Sequence, residues 1–439
     1  MKYNKTMKFA VLEGATYNGF YIGTQGFIIT AIALYFGAGP FELSVISSIP
    51  VVAQMMQIFT PYFHKLTKSK KSSLMLSAFI ARNVILFIPA FIIFKFKNPY
   101  LLILIMATFS FIGAFTGNIW TGAMKKIIPP ESRGKYFGVR NVFSSFVSII
   151  MTAVYSNILN SENESKILTV TLIMAVLAIS TIIMLYFHDI PEEENETRTK
   201  IDLKTPFKDP EYKVFLKFVI IWTFTIEFTR PFFSYYQIDV LNVSYKFLGN
   251  LSILSGIISL VLYMFYGKLV DKFGNKNVLI MGIAIASLSP FIFFIASENN
   301  YKSIFMFESI FSAVAWTAIN LAFFNLLLET SKEPAENYVG AYAFVSGISA
   351  ICASLLGGIS GNLMKGKYFY ILGDKYHGIQ IMFLIGFILR IYSLLNLTNV
   401  KAFEKPFRYE GFLFNNASSS RRREVEMPSY LRIFKNLKK

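Results

Sequence analysis

Long apolar runs, each bounded by a short polar turn, recur from one end of the chain to the other. A run of about 20 apolar residues is long enough to cross a bilayer as a helix, and backbone groups in hydrocarbon must be hydrogen-bonded within their own segment. The pattern therefore predicts an all-α membrane protein with twelve transmembrane helices, numbered here as spans 1 to 12. The predicted spans cover residues 10–36, 41–63, 72–94, 100–127, 134–160, 166–187, 214–240, 245–267, 277–297, 302–328, 338–363 and 378–399.

The polar stretch between spans 6 and 7 is longer than the other interior breaks. It contains Pro191-Glu-Glu-Glu-Asn-Glu, mixed charges, and the prolines Pro206 and Pro210. This stretch predicts a cytoplasmic linker between two bundles of six helices. The predicted division is an N-terminal bundle at 1–187, the linker at 188–212, a C-terminal bundle at 213–400 and a basic cytoplasmic tail at 401–439.

Two landmarks repeat in the two halves at one offset of 206 positions. The turn 61–70 aligns with 267–276, and 130–136 aligns with 336–342, where both the glycine and the tyrosine match. Repeated halves are common in transporters. The repeat predicts that the two six-helix bundles are related by pseudo-symmetry.

Composition supports a membrane location. The chain of 439 residues is 54% hydrophobic and only 16% charged, against about 25% charged residues in soluble domains. The formal charge of +17 does not indicate nucleic-acid binding, because lysines and arginines in a membrane protein more often set its orientation and contact anionic lipid. The expected partner is the lipid bilayer, with no nucleic acid, and the single cysteine, Cys352, excludes an internal disulfide.

Lysine and arginine are distributed unequally between the two sides. Apart from Arg82, Arg230 and Arg390 in the middle of spans, 32 of them fall on the side of the termini and the linker, and 8 on the other side. Basic residues collect on the cytoplasmic side, so the prediction is a multi-pass protein of the cytoplasmic (inner) membrane with both termini inside. Met1 to Lys8 lead into span 1 without a small-residue cleavage motif, so no cleaved signal peptide is expected.

The turn between spans 8 and 9 reads Gly267-Lys-Leu-Val-Asp271-Lys-Phe-Gly274-Asn-Lys276. Glycine permits close backbone approach or a positive φ, which we expect at Gly267 and Gly274 respectively. This turn resembles the signature loop of the major facilitator superfamily. Further stretches fit a bacterial permease of that superfamily, from a branch of unassigned substrate: Leu12-Glu13-Gly14, Pro129 to Asn141, and Pro231-Phe-Phe-Ser-Tyr-Tyr.

The resemblance implies two six-helix bundles around a central cavity lined by spans 1, 4, 7 and 10, with transport by alternating access. It also implies a cytoplasmic gate made by Gly267, Asp271, Lys272, Gly274, Lys276, Arg133, Gly134 and Arg140.

The first-half loop departs from the family pattern, because Lys65 and Lys68 stand where Asp271 and Gly274 stand in the second half. One hypothesis is a latch of reversed polarity, in which this lysine-rich turn faces the acidic turn of Glu329, Glu333 and Glu336. The alternative is that the lysines only set orientation.

Ionised side chains inside a span are costly and mark candidate functional sites. Glu227 and Arg230 are three positions apart near the middle of span 7, so they share a helix face and can pair. Two interpretations of this pair remain open. In one, the Glu227 carboxyl loads and releases a proton; in the other, the two residues form a permanent ion pair. Glu13 in span 1 is a further candidate, whereas Arg82 and Arg390 are expected to bind carbonyls or carboxylates between helices.

The three tryptophans, Trp120, Trp222 and Trp316, fall in spans 4, 7 and 10, with Asn118 and Asn320 close by. Aromatic rings with a few amides suit an amphipathic organic solute. Packing or lipid-facing aromatics are the alternative.

No enzymatic site is expected. The histidines, His64, His188 and His377, lie at span ends or in loops, and no phosphate-binding loop or metal-ligand spacing occurs in the sequence. Around Ser360, packing of small residues explains Gly357, Gly358 and Gly361 better than a serine nucleophile. The predicted function is secondary transport of a small organic solute without a cofactor or metal, by a monomer coupled to protons, with efflux of amphipathic compounds favoured. Nutrient uptake and a non-transporting receptor or scaffold stay open.

Overall fold

The computed structural model describes residues 4–64, 67, 69–160, 163–191, 202, 204–332, 335–371 and 374–401. Ten side chains within these ranges are not described, those of Asn4, Pro61, His64, Pro130, Glu131, Arg133, Gly134, Lys135, Glu336 and Asp374. Lys65, Lys68, Glu333 and the predicted tail beyond Lys401 lie outside the described residues.

The described residues of the first six predicted spans form nine helices. They are α1 (Asn4–Tyr21), α2 (Gly26–Tyr35), α3 (Pro40–Ala53), α4 (Thr60–His64), α5 (Lys70–Asn83), α6 (Phe87–Ile93), α7 (Pro99–Ile127), α8 (Pro130–Leu159) and α9 (Glu164–Tyr186). Short 3₁₀ segments at 22–24, 54–59 and 84–86 interrupt spans 1, 2 and 3. Span 1 breaks where Gln25 is extended and Gly26 takes a φ of +54°.

From the end of the predicted linker onwards, the described residues form seven helices and a hairpin. They are α10 (Lys204–Lys208), α11 (Pro210–Tyr235), α12 (Tyr245–Phe273), α13 (Asn275–Phe294), α14 (Tyr301–Thr330), α15 (Ala335–Met364), β1 (Tyr368–Ile371), β2 (Asp374–His377) and α16 (Ile379–Thr398). The strands are antiparallel, with Tyr368 opposite His377. Span 7 thus begins at Pro210, slightly before the predicted 214.

Ten helical segments in the described part of the chain are long and apolar enough to cross a membrane. The interrupted span 1 and α11, which carries five charged residues, occupy the other two predicted positions. The protein is therefore an all-α membrane protein consistent with the predicted twelve spans, with one small hairpin outside them. Helices α5 and α13, and α8 and α15, each begin 205 positions apart, which fits the predicted repeat.

Consecutive spans run in opposite directions and define two ends of the molecule. The "hairpin face" carries β1 and β2, the turns at 36–39, 94–98, 241–244 and 295–300, and the adjacent ends of α8 and α9. The "terminal face" carries the start of α1, the short helix α10, the turn at 274 and the end of α16.

The two halves meet through α3 with α15, α8 with α12, and α11 with α2 and α3. The glycines of α15 make close packing possible, because an added Cβ at Gly358 would lie 2.8 Å from the Phe41 ring and one at Gly361 would lie 3.0 Å from Pro40. Gly249 of α12 similarly packs against Ser156 of α8. These contacts lie towards the hairpin face, and they confirm the packing role predicted for the small residues of span 11.

Candidate functional site

A buried charge cluster joins three helices of the first half. Arg82 of α5 donates from Nη2 to Glu13 Oε1 of α1 at 2.8 Å, and each side chain is only 5% exposed. Arg140 of α8 approaches the other carboxylate oxygen, with Nη2 3.6 Å from Glu13 Oε2. Glu13 thus lies between two guanidinium groups, and it compensates only one of their two charges.

Neighbouring groups hold both arginines in place. Arg140 donates from Nε to Ala10 O at 3.2 Å, and its guanidinium lies 4.4 Å from the Trp120 ring centre. It also fills the space beside Gly14, where an added Cβ would lie 2.5 Å from Arg140 Nη2. Arg82 lies over the Tyr17 ring at 5.2 Å. These contacts fix both cations at one site between α1, α5, α7 and α8.

A cavity of about 160 Å³ opens onto this cluster. Along α7, Gly113, Gly117 and Thr121 line it at a spacing of four, so they share one helix face. A Cβ at Gly117 would meet nothing within 4 Å, and one at Gly113 would meet only Ala81 at 3.9 Å. The two glycines therefore leave space for a ligand beside the arginines.

A second cavity of about 330 Å³ adjoins the first, and the two share Tyr17, Phe109 and the same α7 face. It ends in the amides of Gln54, Gln57 and Asn118. Asn118 is anchored by its Nδ2, which donates to Thr60 Oγ1 at 2.9 Å. Together the cavities form the "first-half chamber", with a charged end, an aromatic middle and an amide end.

Sequence reasoning selected only part of this chamber. It identified Glu13, Asn118 and Trp120, and its expectation that Arg82 binds a carboxylate between helices is confirmed by the bond to Glu13. It did not place Arg82 at a binding site, and it missed Tyr17, Gln54, Gln57 and Phe109. The sequence signal for Arg82 was its position. It is a basic residue in the middle of a span, in the same half of the chain as Glu13, an acidic residue without a basic partner on its own span. The four-residue spacing of Gly113, Gly117 and Thr121 was the signal for the cavity.

Glu227 and Arg230 form the predicted pair on α11, with Arg230 Nη1 2.8 Å from Glu227 Oε1. The Glu227 side chain is 2% exposed and that of Arg230 is 45% exposed. Glu227 Oε2 is buried and has no hydrogen-bond partner among the described residues. Arg230 Nη1 also lies 3.4 Å from Ser47 O of α3, so the pair lies at the interface between the halves.

The remaining tryptophans do not line the first-half chamber. Trp222 and Trp316 pack against each other with ring centres 6.1 Å apart, within the apolar core of the second half. Asn320 is exposed. The predicted common wall of aromatics on spans 4, 7 and 10 is therefore not present in this conformation, because only Trp120 faces the chamber.

Arg390 has the role that the sequence predicted. It is buried and donates from Nη1 to Ala286 O of α13 at 2.5 Å. It thus ties α16 to α13 through a backbone carbonyl.

The signature turn agrees with the predicted backbone at one glycine and not at the other. Gly274 takes a φ of +82° between α12 and α13, as expected. At Gly267 the expected close approach is absent, since an added Cβ would meet nothing within 4 Å. Asp271 and Lys272 are exposed in the last turn of α12, and Lys276 is buried in the first turn of α13.

The other predicted gate residues divide into two groups. The structure corrects the assignment of Arg140 to the gate, because its face of α8 packs on α1 and its charge faces Glu13 within the first half. Arg133, Gly134 and Glu336 lie in the first turns of α8 and α15 with side chains that are not described, and Lys65 lies outside the described residues. Glu329, of the proposed latch, accepts a hydrogen bond from Asn275 Nδ2 at 2.9 Å.

Three solved structures that share this architecture are transporters. The nucleoside transporter NupG aligns with a TM-score of 0.64 at 14% identity, covering 90% of this chain and 98% of that chain. A D-xylose–proton symporter aligns with a TM-score of 0.66 at 14% identity over 90% of this chain and 97% of that chain. A bacterial homologue of the iron transporter ferroportin, in an inward-facing state, aligns at 0.63 and 10% identity over 90% and 98%.

At these identities the structural likeness establishes the fold alone. No curated protein matches the chain. The family model described as Major Facilitator Superfamily matches residues 14–361, well over half of the sequence. The chain belongs to the Major Facilitator Superfamily.

Proposed function

We propose that this protein is a proton-coupled secondary transporter that moves a small organic solute by alternating access, as a monomer. The moving units are the halves 1–187 and 213–400, joined by 188–212. The observation that carries the proposal is Glu227, a buried carboxylate with one oxygen on Arg230 and the other without a partner in the described part of the chain.

Two opposing effects act on Glu227. Burial penalises its charged form, whereas the guanidinium of Arg230 favours that form. Because α11 packs on α2 and α3 of the other half, relative movement of the halves would change how far Glu227 is screened from water. A proton could then bind in one state and leave in the other.

The observed packing supports one access state. The close contacts between the halves at Gly249, Gly358 and Gly361 lie towards the hairpin face, and that of Gly347 with Met55 lies further along α15. The first-half chamber contains Gln54, Gln57 and Thr121 near the terminal ends of their spans. The distribution of 32 basic residues against 8 favours a cytoplasmic terminal face. We assign the structure to a state open to the cytoplasm, in a protein of the inner membrane with both termini inside.

This orientation is tested with reporter fusions after Lys208 on the terminal face and Asn299 on the hairpin face. The expected result is a cytoplasmic reporter at Lys208 and an external one at Asn299. The opposite sidedness would overturn the orientation and the access state assigned from it.

Coupling is tested by Glu227→Gln in proteoliposomes, with solutes first selected from a panel by ligand-induced thermal stabilisation. We expect the variant to retain solute binding and exchange but to lose accumulation driven by a proton gradient. Glu211→Gln is the matched control on the same helix, since Glu211 is exposed and pairs with Lys401 outside the interface. Normal accumulation by Glu227→Gln would exclude Glu227 as the coupling residue.

Efflux of amphipathic compounds is the proposed direction. The rings of Tyr17, Tyr21 and Phe109 beside the amides of Gln54 and Gln57 support an amphipathic solute. If the protein exports such a solute from cells, inverted vesicles should concentrate the solute inside when a proton gradient is imposed. Accumulation only in right-side-out vesicles would indicate nutrient uptake, and binding without transport in either would indicate a receptor.

A further inference from the structure

We infer that the first-half chamber binds an organic monoanion, with a carboxylate of the solute held at Arg140 and Arg82. The inference deepens the proposed transport function and rests on it for the movement of the solute. Binding itself depends only on the geometry of the chamber.

The charge balance of the chamber leaves one positive charge uncompensated. Glu13, Arg82 and Arg140 are the charged side chains among the described residues that line it, which gives a formal charge of +1. Removing charges from water is costly unless they are paired. One carboxylate neutralises the site, whereas a dianion would leave an excess negative charge and a cation would add to the repulsion.

Both arginines retain donor capacity. Arg82 Nη1 is buried without a hydrogen-bond partner in the described ranges, although Nη2 is bonded to Glu13. Arg140 uses Nε for Ala10 O, and its terminal nitrogens make only the long 3.6 Å approach to Glu13 within the described part of the chain. A guanidinium offers a planar set of donors that matches a carboxylate. A carboxylate beside Arg140 can therefore be bound without breaking the Glu13–Arg82 pair.

The space beside the arginines suits the rest of such a solute. The face of α7 with Gly113 and Gly117 leaves the chamber open next to Arg140. Phe109 and Tyr17 then provide apolar surface, and the amides at the far end provide polar contacts. An anion with an aromatic or aliphatic body fits this order of charge, apolar surface and amide.

The test uses purified protein in detergent without a gradient. Three probes of similar size and different charge are compared by thermal shift: 3-phenylpropionate, 3-phenylpropionamide and 3-phenylpropylamine. A ligand that binds only the folded protein stabilises it in proportion to the logarithm of its concentration relative to Kd. We expect concentration-dependent stabilisation by the carboxylate and little by the amide or the amine. Equal effects of the three probes, including no effect of any, overturn the inference.

Variants assign the effect to the cluster. Arg140→Gln should weaken carboxylate binding by about tenfold or more, since a charge-assisted bond is lost, and Arg140→Lys should restore part of it. Glu13→Gln should strengthen binding, because it removes the competing carboxylate. Lys97→Gln is the matched control, a charge removed from an exposed pair with Glu164. Carboxylate binding unchanged in Arg140→Gln and Glu13→Gln overturns the assignment to this chamber.

Failure of this inference and failure of the proposed function give different results. Arg140-dependent binding of the carboxylate without proton-driven transport would uphold the site and reject the transporter proposal. Proton-driven transport of neutral solutes by a protein that does not prefer carboxylates would uphold the transporter proposal and reject the carboxylate site.

Discussion

Glu13 and Arg82 are 69 positions apart in the chain and form a 2.8 Å ion pair in which each side chain is only 5% exposed. The pair ties α1 to α5, and Arg140 extends it to α8. A single carboxylate therefore links three helices of the first half and also sets the charge of the chamber beside it.

Removing one partner of this pair should destabilise the fold strongly. Arg82→Leu leaves Glu13 with only the longer contact to Arg140, and breaking a buried pair typically costs about 3–5 kcal/mol. The double variant Glu13→Gln with Arg82→Leu should recover part of the loss, because no carboxylate remains buried without its partner. Unfolding of the purified single and double variants in detergent measures this, and equal losses in both would contradict the pairing.

Gly249 should control closure of the hairpin face. A Cβ at this position would overlap the Ser156 side chain of the other half, so Gly249→Ala should push α12 away from α8 and favour opening at that face. Gly267→Ala on the same helix is the control, since its Cβ would meet nothing within 4 Å. Spin-label distances between the ends of α8 and α12 on the hairpin face measure the change.

Truncating the Ser156 side chain provides the complementary test. Ser156→Gly should restore closure in the Gly249→Ala background because it removes the overlapping atoms. Unchanged distances in Gly249→Ala would mean that the contact does not hold the face closed.

Asp271 remains a predicted gate residue, exposed at the end of α12 on the terminal face. If it attracts the basic start of span 5 when that face closes, Asp271→Asn should shift the population towards the state open at the terminal face. A loss of 1.4 kcal/mol would change the ratio of the states about tenfold. Distances between labels near the ends of α4 and α12 should report this, and identical distributions in variant and parent would remove Asp271 from the gate.

Asp209 should contribute a pH-dependent part of stability at the terminal face. Burial opposes its charge, but the hydrogen bond from Lys332 and the N–H groups of Tyr212 and Glu211 outweigh it and hold the pKa of Asp209 below its ordinary value of 3.8. A lowered folded-state pKa gives stability that is present above the unfolded pKa and is lost as pH falls towards the folded one.

Asp209→Asn should therefore lower thermal stability at pH 6 and flatten its decline below about pH 4. Asp239→Asn, at the hairpin end of the same span, is the control. The same acid-induced loss in Asp209→Asn as in the parent would exclude this contribution.

Much of the architecture followed from local sequence. Each span bears its own apolar run, and helices in a membrane satisfy their backbone hydrogen bonds internally, so the positions of the spans needed no knowledge of their neighbours. The positive φ of Gly274 is also local, because only a residue without a Cβ adopts that conformation readily. The Glu227–Arg230 pair followed from a spacing of three on one helix.

Tertiary structure decided which residues share a site. The partners Glu13, Arg82 and Arg140 come from three helices, and apolar periodicity does not specify the rotation at which each helix packs. That rotation turned Arg140 from the predicted gate towards Glu13 and placed Trp222 against Trp316 in the second-half core. It also placed Trp120 beside the chamber. Sequence determined which elements cross the membrane, and packing between them determined where their charges meet.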